Sequence, residues 1–417
     1  MDIPELLELN ERAKEDGNIF PRTRHLFGQI RAELGKHFIG IVGPRGVGKT
    51  VLLKQVASSD PDSFYLSADT LTESSFFQAA RILWEQYKVK TLLIDEIHFC
   101  KDYAKDLKKI YDFLDIRLIF TSSVSLSLLD SAYDLSRRIL LRFMYPFSFR
   151  EYLFFIKDIQ IPELTINDII KGRWKADHMR FHHLFDEYLQ GRLFPFSLEE
   201  PDYMPLLKNI CSKVIRRDIP MVSNLRFDDI ERIEKTLEFI GRSEVDGINF
   251  SSISKNLGIT KYKSELFVKL LSQAFILNPI YPKGTNVLKE PKVLMFLPFR
   301  LLYQDWDRCI GAIREDFFAE MLTMKGYRFH YLKTKRGAKT PDFIVEHENE
   351  KVVIEIGGKG KGREQFKGVT VGKKLILSHY PEGEGNKKPL SLIGFLRTSP
   401  PRLPSLPAVR QAGVGQG

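Results

Sequence analysis

The sequence predicts an α/β protein: a parallel sheet flanked by helices, then a helical middle, then a second, smaller α/β unit. Three observations carry this. Apolar runs of strand length alternate with helix-like segments in the first third of the chain, which implies right-handed crossovers and a parallel sheet. From about Glu151 the pattern changes to Phe-rich amphipathic segments with few strand signals. Near the C-terminus, KTPDFIVEHENEKVVIEIGG reads as two strands around a charged turn.

Residues 1–37 read as two helices, the second being RTRHLFGQIRAEL. HFIGIVG is a short apolar run ending in glycine, the pattern of a buried strand, and TVLLKQVASS after it reads as a helix. DSFYLSA, TLLIDEIHF and IRLIFTS are further runs of strand length. REYLFFIKDI, the periodicity around 167–174, FHHLFDEYL and LLKNICSKVIRRDI make the helical region. INFSSISKNLGI and YKSELFVKLLSQAF read as two short helices separated by Gly258 and Thr260. ILNPIYPKG and KVLMFLPF follow as a β-ribbon, and 308–330 as a helix plus a strand. The last stretch, TSPPRLPSLPAVRQAGVGQG, has four prolines and almost no apolar periodicity, so disorder is expected there.

Composition bounds the function classes. The 417 residues are 43% hydrophobic and 28% charged, which excludes a wholly disordered chain, a fibre and a disulfide-stapled mini-protein. At roughly 100–200 residues per domain, two to four domains are expected. No apolar run approaches the roughly 18–20 residues of a membrane span, and the acidic, amphipathic MDIPELLELNERAKED lacks the features of a signal peptide. Cys100, Cys211 and Cys309 have no metal-ligand spacing and read as small buried side chains in a reducing, cytoplasmic setting. Lys+Arg 63 against Asp+Glu 53 leaves +10, and residues 331–374 carry eleven basic and six acidic residues, half of that excess. A concentrated basic stretch points to a polyanionic partner.

Two motifs carry chemistry. Gly43-Pro44-Arg45-Gly46-Val47-Gly48-Lys49-Thr50 fits G-x-x-x-x-G-K-S/T between a predicted strand and a predicted helix. Its glycines let successive backbone N–H groups face phosphate oxygens, and the helix that follows adds its positive end. The Lys49 ammonium suits the β- and γ-phosphates, and the Thr50 hydroxyl suits Mg²⁺. Leu92-Leu93-Ile94-Asp95-Glu96 is a buried strand ending in two carboxylates. Asp95 suits the Mg²⁺ shell, and Glu96 suits a general base that polarises the attacking water. ATP with Mg²⁺ is the expected ligand pair.

On GPRGVGKT, TLLIDE, IFTSS, RRILLRFMYPFSFREYL and VIRRDIP, nearly all of residues 1–397 resembles the AAA+ ATPases, in the archaeal and bacterial branch that carries a winged helix and a nuclease-like C-terminal domain. The resemblance implies a P-loop NTPase domain at 1–145, a helical lid at 146–238, a winged helix at 239–303 and a PD-(D/E)XK nuclease-like domain at 304–397, with 398–417 as a disordered tail. It implies a polar sensor at the strand end Thr121, Ser122, Ser123, with Ser123 favoured; helix capping is the other reading of these hydroxyls. It implies that Arg138 is a charge-stabilising finger, for its own nucleotide or for that of a neighbouring subunit, so a homo-oligomer is one arrangement it allows. The chain departs from the family at Arg137, where glycine is common, and at Gly191-Arg192-Leu193-Phe194-Pro195. Arg216 and Arg217 are either nucleotide sensors or a solvated helix face.

In the winged-helix resemblance, Lys261, Tyr262, Lys263 and Ser264 open the helix that meets DNA, and Pro282-Lys283-Gly284 forms a basic wing tip. In the nuclease resemblance, Glu315, Asp342 and Glu355 are the metal-holding carboxylates. Gly357 stands where an active member has lysine, and Lys359 and Lys361 lie nearby in a Gly-rich turn. His182 and His183 read as helix-surface histidines. Three functions remain open: an ATPase coupling nucleotide state to nucleic-acid binding, with DNA as the expected partner; an ATP-regulated, metal-dependent DNA nuclease; and an ATP-binding regulatory scaffold without turnover.

Overall fold

The computed structural model describes residues 3–33, 35–71, 76–123, 137–223, 225–243, 247–283, 290–332, 341–347, 350–358, 372–381 and 385–398, together with Leu135 and Phe366. The expected tail lies outside the described residues from Ser399 onward, as do Gly284 of the wing tip and Lys359 and Lys361 of the Gly-rich turn.

The first unit runs α1 (Ile3–Ile19), α2 (His25–Ala32), β1 (Phe38–Val42), α3 (Lys49–Ser59), β2 (Ser63–Ser67), α4 (Phe76–Tyr87), β3 (Thr91–Asp95), α5 (Tyr103–Phe113), β4 (Arg117–Ser122) and β5 (Ile139–Phe143). Its five strands are all parallel, in the order β2-β3-β4-β1-β5. Every residue of β1 and β3 is buried, as expected of central strands covered on both faces. β5, an added edge strand, is at most half-buried. The register aligns Ser67 with Asp95 and Val42 with Ser122, so the phosphate loop and the acid pair open on one edge of the sheet. Ligands of open α/β sheets bind beyond that edge.

The helical region begins with α6 (Phe149–Lys157), started by a capping box between Ser148 and Glu151. Short helical turns lead to α7 (Met204–Lys213) and α8 (Phe227–Arg242). Then α9 (Phe250–Leu257) ends at Gly258, and α10 (Lys261–Gln273) starts on a Thr260 cap. β6 (Leu277–Ile280) and β7 (Lys292–Met295) form an antiparallel ribbon.

After α11 (Trp306–Met324) come β8 (Arg328–Tyr331), β9 (Phe343–His347), β10 (Glu350–Gly357), β11 (Lys373–Ser378) and β12 (Lys387–Pro389). They form a second five-stranded sheet, β12-β11-β10-β9-β8, antiparallel through β8, β9 and β10 and parallel from β10 to β12. The chain then returns to the helical region. Leu164 N–H donates to the Phe395 carbonyl and Arg397 N–H to that of Leu164, both at 2.8 Å. Phe395 packs on Phe149, and Phe317 of α11 packs on Phe185.

Two buried ionisable groups hold these parts together. The Arg24 guanidinium donates to both Glu151 carboxylate oxygens (2.8 and 3.0 Å), to the Val47 carbonyl of the phosphate loop (3.1 Å) and to the Tyr145 carbonyl (2.9 Å). Burial would raise the Glu151 carboxyl, but Arg24 outweighs it and holds the group at about 2. Glu320 of α11 has no such cation. Its Oε2 accepts from the Leu297 N–H at 2.7 Å, while Oε1 is buried without a hydrogen-bond partner among the described residues. Burial, aided by nearby Asp316, pushes this carboxyl up to about 8.

Removing one partner of the buried pair should be costly. Arg24→Met should lower unfolding free energy by about 3–5 kcal/mol, because a buried carboxylate loses its counter-charge. Adding Glu151→Gln should recover part of that loss, as read from urea midpoints. The Glu151 contribution is present above about pH 4.5 and is lost as pH falls toward about 2.

Glu320 works in the opposite sense. It costs nothing below about pH 4.5, where folded and unfolded chains both carry the proton. The cost grows from there to about pH 8 and then levels, at a size on the order of 5 kcal/mol. Glu320→Gln should therefore gain stability relative to the parent as pH rises from 5 to 8. Equal pH slopes in paired denaturation series would contradict this.

Candidate functional site

The phosphate loop joins β1 to α3. Gly43 has to be glycine because a Cβ there would lie 2.0 Å from the Met144 carbonyl oxygen. Gly46 takes φ +83°, and a Cβ on it would lie 2.7 Å from the Phe196 ring. Phe196 and Ile210 thus come down from the helical region onto the loop. Arg45 joins them in a paired contact: its guanidinium donates to both oxygens of the fully buried Asp218, at 2.5 and 2.8 Å. Burial alone would lower the Arg45 pKa, and Asp218 outweighs it.

Lys49 is 4% exposed and folds back on its own loop, donating to the carbonyls of Gly43 (2.9 Å) and Pro44 (3.0 Å). Burial lowers its pKa against the pull of Glu96 and Asp95. Thr50 Oγ1 donates to Asp95 Oδ2 at 2.7 Å. The same oxygen accepts from the Tyr65 hydroxyl at 3.1 Å, and Oδ1 accepts from Thr121 Oγ1 at 2.5 Å. Burial and Asp95 together raise the Tyr65 pKa, so it stays a donor. A hydroxyl and a carboxylate side by side are hard oxygen donors of the kind Mg²⁺ takes, so the residues present fit that ion.

Glu96 sits in the left-handed region, φ 52° and ψ 52°. Its N–H donates to Thr121 Oγ1 at 2.8 Å, and its Oε2 accepts from the Ser123 N–H at 3.1 Å. Burial works against ionisation, but Lys49, His98 and Arg45 prevail and hold the carboxyl below its ordinary value. The Ser123 hydroxyl is buried with no hydrogen-bond partner among the described residues. The structure therefore brings Gly43–Thr50, Asp95, Glu96 and Ser123 together on one sheet edge.

Other expected residues lie elsewhere. Arg138 precedes β5 at the opposite end of the sheet, pairing with Asp112 (2.9 and 3.1 Å) over the Tyr111 ring. Phe38 aligns with Ile139 and Val42 with Phe143, so five residues of strand, roughly 16 Å of rise, separate it from the loop. A finger role toward its own nucleotide is thereby corrected. Arg216 pairs with Glu234 on the exposed face of α8, and Arg217 lies over the Phe99 ring, 5.0 Å from its centroid.

On α10, Ser264 is fully buried, a correction to its expected place on a DNA-facing surface. Lys261 pairs with Glu290, Lys263 with Asp229 (2.6 Å), and Tyr262 is 73% exposed. Lys283 pairs with Glu346. In the C-terminal unit Glu315 forms an ion pair with Lys292, Asp342 accepts from the Ile356 N–H at 2.7 Å, and Glu355 is buried. Among the described residues no group of three or more His, Cys, Asp or Glu side chains is placed to hold a metal. The expected convergence of Glu315, Asp342 and Glu355 on one metal is corrected accordingly. His182 is not a free surface group, since its Nδ1 lies 2.8 Å from Ser391 Oγ.

Sequence reasoning missed Asp218, Tyr65, Arg24 and His98. Asp218 stands directly after the two arginines that drew attention, and His98 stands two residues after Glu96. Those positions were the available signals. Tyr65 and Arg24 had none, because only the tertiary fold brings them to the site.

Residues 35–153 match the family model described as AAA domain. The matched span holds the loop, the acid pair and Ser123. With the five-stranded parallel sheet it supports an ATPase-like, nucleotide-binding fold. An uncharacterized protein of Methanocaldococcus jannaschii is 28% identical over 404 residues, covering 87% of this chain and 85% of that protein. Among solved structures, a Walker-type ATPase of Pyrococcus abyssi is 14% identical at a TM-score of 0.40, covering 66% of this chain and 96% of its own. The Orc1 protein of Aeropyrum pernix, solved in complex with DNA, is 14% identical at a TM-score of 0.28, covering 71% of this chain and 91% of its own. Among the described residues no helix is long and apolar enough to cross a membrane.

Proposed function

We propose that the chain binds ATP with Mg²⁺ and hydrolyses it. The observation that carries this reading is the convergence of the 43–50 loop, Thr50, Asp95, Glu96 and Ser123 on one edge of the parallel sheet. Lys49 leaves the Gly43 and Pro44 carbonyls for the β- and γ-phosphates. Thr50 and Asp95 hold Mg²⁺, which neutralises phosphate charge when bound. Glu96 accepts the proton of the water that attacks the γ-phosphorus, the bond from that phosphorus to the β-phosphate oxygen breaks, and ADP is the leaving group. The Ser123 hydroxyl, free of other hydrogen bonds among the described residues, orients that water. In an assembly, Arg138 serves the nucleotide of a neighbouring subunit, since it faces away from its own.

Nucleotide state is proposed to reach nucleic acid through the lid at 146–238. Phe196, Ile210 and Asp218 touch the loop directly, so a phosphate-filled loop and the present lid position compete for Arg45. Support for nucleic acid as the partner is the two-helix-and-ribbon arrangement of 239–303, read as a winged helix, with the chain's +10 charge. The unit at 304–397 is proposed as a non-cutting form of the nuclease-like fold, because Lys292 neutralises Glu315 and Gly357 replaces the lysine.

Titration calorimetry with MgATP tests the site. Lys49→Ala should abolish measurable binding. Glu96→Gln should bind like the parent while turnover falls by about 10²–10⁴-fold. Heat-silent titrations of folded parent protein would refute the reading.

Affinity for duplex DNA should fall steeply with salt, with a slope counting the phosphates contacted. Tyr262→Ala should weaken it. No cleavage of labelled duplex or branched DNA is expected with Mg²⁺ or Mn²⁺, and cleavage abolished by Asp342→Ala would restore the nuclease reading.

A further inference from the structure

His98 lies on the single turn Ile97–Phe99 that follows Glu96, and it is 9% exposed. Its Nδ1 stands 3.2 Å from Glu96 Oε2 and 3.2 Å from Ser122 Oγ. The ring packs against Phe99 with centroids 4.5 Å apart. The charged groups around it are Glu96, Asp218, Arg45 and Lys49.

A carboxylate only accepts, and Glu96 is held ionised by Lys49, His98 and Arg45 despite its burial. With hydrogen on Nδ1, the ring presents an N–H to Oε2 across the 3.2 Å contact. Burial lowers the imidazole pKa against the pull of Glu96 and Asp218, and the ring nitrogen turned away from them is Nε2. That nitrogen is buried with no hydrogen-bond partner among the described residues.

Oε2 of Glu96 thus accepts from the Ser123 N–H at 3.1 Å and lies 3.2 Å from His98 Nδ1. A hydrogen bond on one side of the oxygen and the imidazole on the other restrain rotation of the carboxylate. The left-handed backbone of Glu96, strained for a non-glycine residue, aims the side chain between them. We propose that His98 is a positioning residue for Glu96, fixing Oε2 so that Oε1 is the oxygen that takes the proton of the lytic water. The inference rests on the ATP-hydrolysis reading and deepens it.

The test compares the full-length parent, Glu96→Gln, His98→Leu and His98→Asn for turnover and for MgATP affinity, with thermal melts confirming the fold of each. Leucine fills the ring's space without a donor. Asparagine returns an N–H to nearly the Nδ1 position. His98→Leu should lose about 10–100-fold in kcat, the scale of a misplaced reacting group, while Kd stays within about twofold. His98→Asn should recover most of the loss. Parental turnover in His98→Leu, or equal loss in the Leu and Asn variants, would overturn the proposal. Should His98→Leu fail to melt cooperatively, His98→Gln takes its place, since its amide is displaced by one methylene. An active parent with inactive Glu96→Gln and unaffected His98→Leu removes the His98 role alone. A parent that binds MgATP without turnover removes the hydrolysis reading and this one together.

Discussion

The buried carboxylate of Asp95 organises the site. A carboxyl group 5% exposed at the end of a central strand is tolerated only if its oxygens are bonded. Three hydroxyls from three different elements do this: Thr50 of α3, Tyr65 of β2 and Thr121 of β4. Each bond also fixes an element. Thr121 then reuses its oxygen to receive the Glu96 N–H, which stabilises the left-handed turn that aims the second acid. The acid pair therefore works as a unit. The first acid ties the strand ends together, and the second inherits a direction from those ties.

The local chemistry of that unit was legible in the sequence because it is written in consecutive residues. Glycines at 43, 46 and 48 demand a curled loop, and an apolar run ending in Asp95-Glu96 demands a buried strand with polar tips. What covers the loop was illegible. Asp218 lies 173 residues from Arg45, and nothing in VIRRDIP distinguishes the carboxylate that is fully buried from the arginines that remain solvated or stack on Phe99. β5 escaped for a different reason. As an edge strand it leaves Leu140 36% exposed and carries Arg142 mid-strand, paired with Glu33, so it has no continuous apolar signature.

The C-terminal half shows the limit of pattern transfer. The helix and the β9–β10 hairpin were readable from apolar alternation. The return of 390–396 onto α6 was not, since Phe395 is buried against Phe149 of the helical region. Carboxylates at the right spacing did not imply a metal site, because spacing says nothing of the cation that arrives from elsewhere. Lys292 comes from β7 of the preceding ribbon and neutralises Glu315. Likewise Lys261 and Lys263 at the start of α10 are partnered by Glu290 and Asp229, so the charge expected to face DNA there is largely compensated in space.

Arg138 shows how a residue can be misplaced for one role and still available for another. Parallel strands put their two ends on opposite faces of the nucleotide domain, so a residue before β5 cannot serve a ligand held after β1. The same geometry puts it on an outer surface, where a second copy can approach. Its tie to Asp112 is a partly exposed ion pair, with side chains 23% and 34% exposed, and such pairs contribute only about 0–1 kcal/mol. Charge-assisted, bidentate contacts to phosphate are roughly twice as strong as neutral hydrogen bonds. Arg45 is in the contrary position: its partner Asp218 is fully buried, so releasing it requires the helical region to move. The two arginines thus differ in their partners, one held by a partly exposed carboxylate and the other by a fully buried one.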